Sequence, residues 1–366
     1  MGSLNVLACL VTTTLLAGAA AGDTIYAQPG ERVSIGSARL NLYCLGSGSP
    51  TVVFDAGWGD WSPSWSIVQP QVATWTRACS FDRAGYGFSD AGPMPRTNVQ
   101  IADELHAALH NASISGPYVL VAHAFGSYNL RAFADRYMRE VGGIVLVDAD
   151  DGDVEPAKWQ ARDHRTFQKI IATMRLCQNA VAGGLPLPPL PSPSGRPPGT
   201  CAGRFFRGLP EQRFSNELNS ALLHEVQTQA SLYAAAISEM EEMQWDEAYL
   251  QHHVTSFGSR PIRVLTTWHF GRPPATPASV HAERLAFEHD SALAQGSWLR
   301  LSTNARQVFD YDETGQYIQL DQPQIVLEAI REVLDRSTRT AGTESVQRYG
   351  VVADSKLRRR ELTQVL

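Results

Sequence analysis

The segment Val119-Leu120-Val121-Ala122-His123-Ala124-Phe125-Gly126-Ser127 has the residue types and spacing of a site that attacks carbonyl groups, with one functional group missing. A strand that turns sharply into a helix presents a serine hydroxyl at its apex when small residues flank the turn, in the frame G-x-S-x-G. Here the frame reads Ala122-His123-Ala124-Phe125-Gly126, so the small flanks are kept and the apex is alanine. A methyl group cannot act as a nucleophile. The backbone N–H after the apex, on Phe125, survives any side-chain change and still suits an oxyanion. Ser127 falls inside the helix start, where its hydroxyl should turn away from that position, and His123 precedes the apex as a pocket candidate.

Such a turn needs a parallel sheet around it. Thr51 to Asp55, Arg77 to Phe81, Tyr118 to Val121 and Gly143 to Val147 are short apolar runs, separated by helical periodicity at Asn98–Asn111 and Tyr128–Tyr137. Strands that are apolar throughout are covered on both faces, which indicates a mostly parallel α/β sheet with helices on either side. Arg32 to Leu45 alternates around Gly36-Ser37 and reads as an antiparallel pair. Strand–helix alternation resumes at Pro261–Leu265 and Gln307–Asp310, with a last helix over Gln324–Asp335.

Between Asp151 and Arg260 the pattern changes. Leu185 to Pro198 is too rich in proline for a helix or a strand interior and reads as a stiff surface loop. Helical segments are expected at Phe214–Glu241 and Asp246–His253. The organisation expected is a leader at 1–21, a core at 22–150 and 261–336, a cap insertion at 151–260 after the sixth strand, and a polar tail at 337–366.

Composition narrows the function. The chain has 366 residues, 19% charged, 43% hydrophobic and 9% aromatic, which excludes a disordered or fibrous chain. A net charge of −6 offers no clustered basic surface for nucleic acid. No apolar run reaches the about 18 residues that span a bilayer. Val6 to Leu16 ahead of Ala19-Ala20-Ala21 reads as an export signal without the usual basic start, giving a secreted or periplasmic expectation. With Cys9 inside that leader, Cys44, Cys79, Cys177 and Cys201 form an even set with three possible pairings. The nearest in sequence, Cys44–Cys79 and Cys177–Cys201, are favoured, and such bonds persist in an oxidising compartment. Asn111-Ala112-Ser113 is a glycosylation sequon, and the Lys356 to Arg360 cluster reads as a solvated helix face.

Four motifs in order resemble the α/β-hydrolase superfamily, from about Gly36 to Asp335. Phe54-Asp55-Ala56-Gly57-Trp58-Gly59 resembles the loop that supplies one oxyanion N–H, here that of Trp58. Ser80-Phe81-Asp82-Arg83-Ala84-Gly85-Tyr86-Gly87-Phe88-Ser89-Asp90 is similar to the D-R-x-G-x-G-x-S turn. Val119 to Gly126 aligns with the elbow, and Gly315-Gln316-Tyr317-Ile318-Gln319-Leu320-Asp321-Gln322-Pro323 with the block holding the catalytic histidine. The resemblance implies the α/β-hydrolase fold. It places the nucleophile at Ala124, the acid at Asp148 after the strand ending at Val147, and the histidine at Gln316. The alternative acid position reads Thr266-Thr267-Trp268-His269-Phe270, without a carboxylate, and leaves His269 as a second pocket candidate.

Loss of the nucleophile or the histidine alone costs a serine protease about 10⁶-fold in turnover. Oxyanion donors and binding retain on the order of 10³–10⁴ over water. The expectation is therefore a protein of ester, lactone or amide hydrolase ancestry that lacks ordinary serine-hydrolase activity and binds a small hydrophobic carbonyl compound. Two alternatives stand beside it. One is non-hydrolytic chemistry (cyclisation, elimination or aldol-type) with Asp148 as acid or base. The other is an engineered inactivation, against which stand the further departures at Ala122 and Ser127. No cofactor and no metal is expected, since His252-His253 have the wrong spacing for one helical face. Trp61 and Trp65 read as core, and Trp58 as a cavity wall.

Overall fold

The computed structural model describes residues 22–149, 157–190, 199–205, 208–253, 256–267, 286, 289–310 and 315–347. The expected leader, His269, the end of the tail with its Lys356 cluster and most of the proline-rich run lie outside the described residues.

The strands are β1 (Glu31–Ser34), β2 (Arg39–Leu45), β3 (Thr51–Asp55), β4 (Ala78–Asp82), β5 (Tyr118–His123), β6 (Val141–Val147), β7 (Ile262–Thr267) and β8 (Ala305–Asp310). They form one sheet in the order β1-β2-β4-β3-β5-β6-β7-β8. β2 runs antiparallel to both β1 and β4, and β4, β3, β5, β6, β7 and β8 are mutually parallel. The longer helices are α1 (Asn98–Asn111), α2 (Gly126–Tyr137), α3 (Ala157–Ala182), α4 (Asn216–Thr228), α5 (Ala230–His253) and α6 (Pro323–Gln347).

Alternation along the central strands explains why both faces are covered. Val53, Leu120, Ala122, Ile144, Leu146 and Val264 point to one face and pack with Ile101, Leu105, Leu130 and Phe133 of α1 and α2. Val52, Phe54, Val119, Val121, Val145, Val147 and Leu265 point to the other, against Trp65, Val68 and Val72 and against Val326, Ile330 and Val333 of α6. A period of two with apolar residues at every position leaves no polar face to meet water.

Helices α3, α4 and α5 follow β6 and precede β7, with a separate apolar cluster of Leu218, Leu222, Val226, Tyr233 and Ala236 closing on Tyr26, Trp61, Tyr86 and Phe205. The helical break lies elsewhere than the periodicity placed it. Gln229, at φ −102° and ψ 96°, separates α4 from α5, and Glu242 to Trp245 continue the second helix. Those residues are adequate helix formers, whereas Gln229 is extended and ends α4. Likewise α6 runs on to Gln347 rather than stopping at Asp335.

Both favoured disulfides are formed, Cys44–Cys79 and Cys177–Cys201. Cys44 and Cys79 are direct partners across the antiparallel β2–β4 ladder, and Cys177 of α3 reaches Cys201 beyond the proline-rich run. Among the described residues no helix is long and apolar enough to cross a membrane.

Candidate active site

The turn between β5 and α2 has the geometry its sequence frame calls for. Ala124 sits at φ 44°, in the left-handed region that costs a residue with a Cβ about 1–2 kcal/mol. Its N–H donates to the Val147 carbonyl (3.1 Å) and its carbonyl accepts from Ser127 N (2.9 Å), which closes the turn against β6. Gly126 has to be small. A Cβ there would lie 2.8 Å from the Ala56 carbonyl oxygen and 2.9 Å from that of Asp55. Ser127 is fully buried in the first turn of α2.

The loop after β3 lies directly against this turn. A Cβ on Gly57 would come within 2.8 Å of His123 Nδ1 and 3.4 Å of the Ala124 methyl. Phe125 and Trp58 follow Ala124 and Gly57 respectively, and among the described residues neither of their N–H groups is hydrogen-bonded. The Trp58 side chain does not hang free over the site, because its indole Nε1 donates to the Ala236 carbonyl of α5 at 2.8 Å. Trp61 and Trp65 are each 1% exposed and belong to the core.

His123 is buried, and its Nε2 donates to the Gln316 carbonyl (3.1 Å) while its ring lies 4.8 Å from that of Tyr317. Because the partner is a carbonyl, the proton sits on Nε2. Burial lowers the imidazole to about 4, with the Gln316 hydrogen bond opposing, so His123 is neutral near pH 7. Its role is to dock the Gln316 loop onto the end of β5. Gln316 itself is exposed and follows Gly315, whose N–H donates to Asp321 Oδ2 (2.9 Å).

Asp148 stands at the end of β6, also at φ 44°, with its N–H on the Leu265 carbonyl (2.8 Å). Its Oδ1 accepts from Thr267 Oγ1 (3.0 Å) and Gln295 Nε2 (3.1 Å). Gln295 is held in turn by Thr266 Oγ1, which also accepts from Gln307 Nε2. Thr267 and Gln295 both donate, so Oδ1 is held as an acceptor. Thr267 and Gln295 were not legible in sequence, since an isolated threonine at a strand end and an isolated glutamine at a helix end carry no motif.

Sequence reading also missed a buried ionic centre under the loop. Arg83, 1% exposed, donates Nη1 to Asp55 Oδ1 (2.9 Å) and to the Ala56 carbonyl (2.8 Å), Nη2 to the Gly57 carbonyl (2.8 Å), and Nε to Glu239 Oε1 of α5 (2.8 Å). Tyr86 and Asn129 complete it through Glu239 Oε2 and Asp55 Oδ2. Burial pushes Asp55 up to about 6, with the Arg83 charge and the Asn129 and Arg83 hydrogen bonds holding it down. Glu225 of α4, 2% exposed, is a second buried acid. Burial and then the Asp82 charge push it up to about 9, a hydrogen bond from Trp61 opposing. Among the described residues no group of three or more His, Cys, Asp or Glu is arranged to hold a metal.

The profile of a family described as alpha/beta hydrolase fold matches residues 50–175, from β3 into α3. An AB hydrolase superfamily protein of Gibberella zeae is 24% identical over 309 residues, covering 78% of this chain and 86% of the relative. An uncharacterised protein of Schizosaccharomyces pombe is 34% identical over 166 residues, 37% of this chain, and an uncharacterised protein of Bacillus subtilis 32% over 108 residues, 30% of this chain. The chain spans only 31% and 43% of those two relatives. Among solved structures, a putative epoxide hydrolase from Pseudomonas aeruginosa superposes at TM-score 0.58 with 14% identity, covering 84% of this chain and 96% of that one. A thermophilic esterase from Thermogutta terrifontis gives 0.55 with 19% identity over 85% and 99%. These identities speak for the fold alone. Together with the eight-stranded, mostly parallel sheet, these likenesses give the chain the α/β-hydrolase fold.

Proposed function

We propose that this protein is a hydrolase-fold carbonyl binder without ordinary serine-hydrolase activity, exported from the cytoplasm. The observation that carries the reading is Ala124. The turn keeps its positive φ and its contact with Gly57, yet its apex offers a methyl group. The N–H groups of Trp58 and Phe125 are the donors assigned to a bound carbonyl oxygen. Asp148 occupies the acid position, oriented by Thr267 and Gln295, and Gln316 the position of the base. An amide cannot take a hydroxyl proton, so neither half of the proton relay is present. The donors on Oδ1 of Asp148 disfavour a proton-donating role for this carboxylate, and the binding reading rests on the missing nucleophile and base. The two disulfides support the export reading.

The test compares the unchanged chain with an Ala124→Ser/Gln316→His variant, reading hydrolysis of small esters and labelling by a fluorophosphonate. Hydrolysis and labelling by the variant alone are expected. Ordinary turnover by the unchanged chain would refute the reading, and a silent variant would show that the site has been remodelled beyond the apex and the base position.

A further inference from the structure

A peptide unit is planar and trans, so the carbonyl of Gly57 and the N–H of Trp58 belong to one rigid plate and point in opposite directions. Whatever holds Gly57 O therefore aims Trp58 N–H. Gly57 has no Cβ and is free to rotate unless its carbonyl is fixed. Two donors fix it, Asp60 N in the local turn (3.1 Å) and Arg83 Nη2 (2.8 Å). The preceding plate is held by Arg83 Nη1 on the Ala56 carbonyl.

Arg83 is itself clamped from the cap. Its Nε meets Glu239 Oε1, and the other carboxylate oxygen takes Tyr86 OH (2.8 Å). Helix α5 reaches the same loop again through the Ala236 carbonyl and Trp58 Nε1. Further along, Asp246 accepts from Asn98 N (3.0 Å), Asn98 Nδ2 donates to Asn129 Oδ1 (2.6 Å), and Asn129 Nδ2 reaches Asp55 (2.8 Å). Arg83, Asp55 and Glu239 are all at most 1% exposed, so water does not compete for these bonds. Without Glu239 the guanidinium keeps Asp55 on Nη1 but loses the partner on Nε that fixes the other edge of its plane across the two carbonyls.

We propose that Arg83 is a positioning residue that transmits the docking of α5, through Glu239, to the peptide plane carrying Trp58 N–H. The carbonyl-binding donor is then set only while the cap helix is seated. This rests on the reading of the site given above, but the coupling can be measured without any ligand.

The experiment is amide hydrogen exchange on the full chain, comparing Glu239→Ala and Glu239→Gln with Glu104→Gln. Glu104 forms another buried pair with Arg96 (2.6 Å), which is not bonded to the loop. With Glu239→Ala, exchange of the Asp60 N–H, which rests on the Gly57 carbonyl, and exchange across α5 are expected to quicken about tenfold, with β5 unchanged. Glu239→Gln keeps an acceptor for Arg83 and should fall between that and the unchanged chain. Glu104→Gln should loosen α1 and leave the Asp60 N–H alone. An Asp60 N–H that stays protected while α5 loosens overturns the proposal, as does acceleration spread evenly into β5. If Glu239→Ala does not fold, the contrast between Glu239→Gln and Glu104→Gln decides the matter in the same way. Fluorophosphonate labelling of the Ala124→Ser/Gln316→His chain, with and without Glu239→Gln, separates the two claims. Absent labelling with the exchange pattern intact strikes the reading of the site, whereas intact labelling with no exchange coupling strikes the role of Arg83.

Discussion

Ala124 and Asp148 stand side by side at the carboxyl ends of adjacent strands, each one residue beyond the paired His123 and Val147, and each at φ 44°. Neither is glycine, so both hold a backbone conformation that the sheet and the following turns impose. At Ala124 this backbone strain is held with only a methyl group at the apex of the turn.

That strain has a measurable size. Ala124→Gly should stabilise the chain by about 0.5–1 kcal/mol, since relief of the left-handed cost outweighs the added freedom of the unfolded chain. The same change at Ala122, inside β5 and fully buried, should destabilise it by about 1 kcal/mol. Urea unfolding of both variants checks this. Equal losses at the two positions would show that the turn is relaxed.

Gly57→Ala places a Cβ against His123 Nδ1 and should cost about 1–3 kcal/mol. The adjustment must move either the loop or the imidazole. Proton NMR of His123 Nε2–H, on its bond to Gln316, tells which one yields.

Removing Arg83 leaves Asp55 and Glu239 buried without their cation. Arg83→Met should cost about 3–5 kcal/mol near pH 8. Without the guanidinium Asp55, already raised by burial, rises further in the folded state, so folding takes up a proton and the loss should shrink toward pH 5. Unfolding at the two pH values provides the test, and a loss independent of pH would mean that the carboxylates are satisfied otherwise.

Glu225 has the same sign. Its folded value of about 9 lies above the ordinary glutamate range, so its contribution to stability is complete below about pH 4.5 and erodes as pH rises toward 9. Glu225→Gln should match the parent at the acid end and exceed it by on the order of a few kcal/mol at pH 9. Parallel stability curves would place Glu225 in contact with water.

The strands and the turn were legible because each rests on local chemistry. Val52 to Phe54 and Tyr118 to Val121 are apolar in unbroken runs, and a sheet covered on both faces accommodates that. The small residues Ala122 and Gly126 flag a tight turn whatever stands between them. The cap was less legible, since Phe214 to His253 is helical in character throughout and the break at Gln229 is set by packing rather than by a breaker residue. Arg83 was visible within a motif, but its partner Glu239 is far along the chain in a helix rich in glutamate, where no spacing singles it out. Thr267 and Gln295 are in the same position, meeting at Asp148 only through the folding of the sheet.

The bond between Cys177 and Cys201 has a consequence for a chain cut by a protease. The chain between these cysteines is rich in proline from Pro186 to Pro198. A cut anywhere between them leaves a single covalent molecule, with α3 still fastened to the chain that leads into α4. The nick would be silent in size and in fold until a reductant is added, when two fragments separate on a gel.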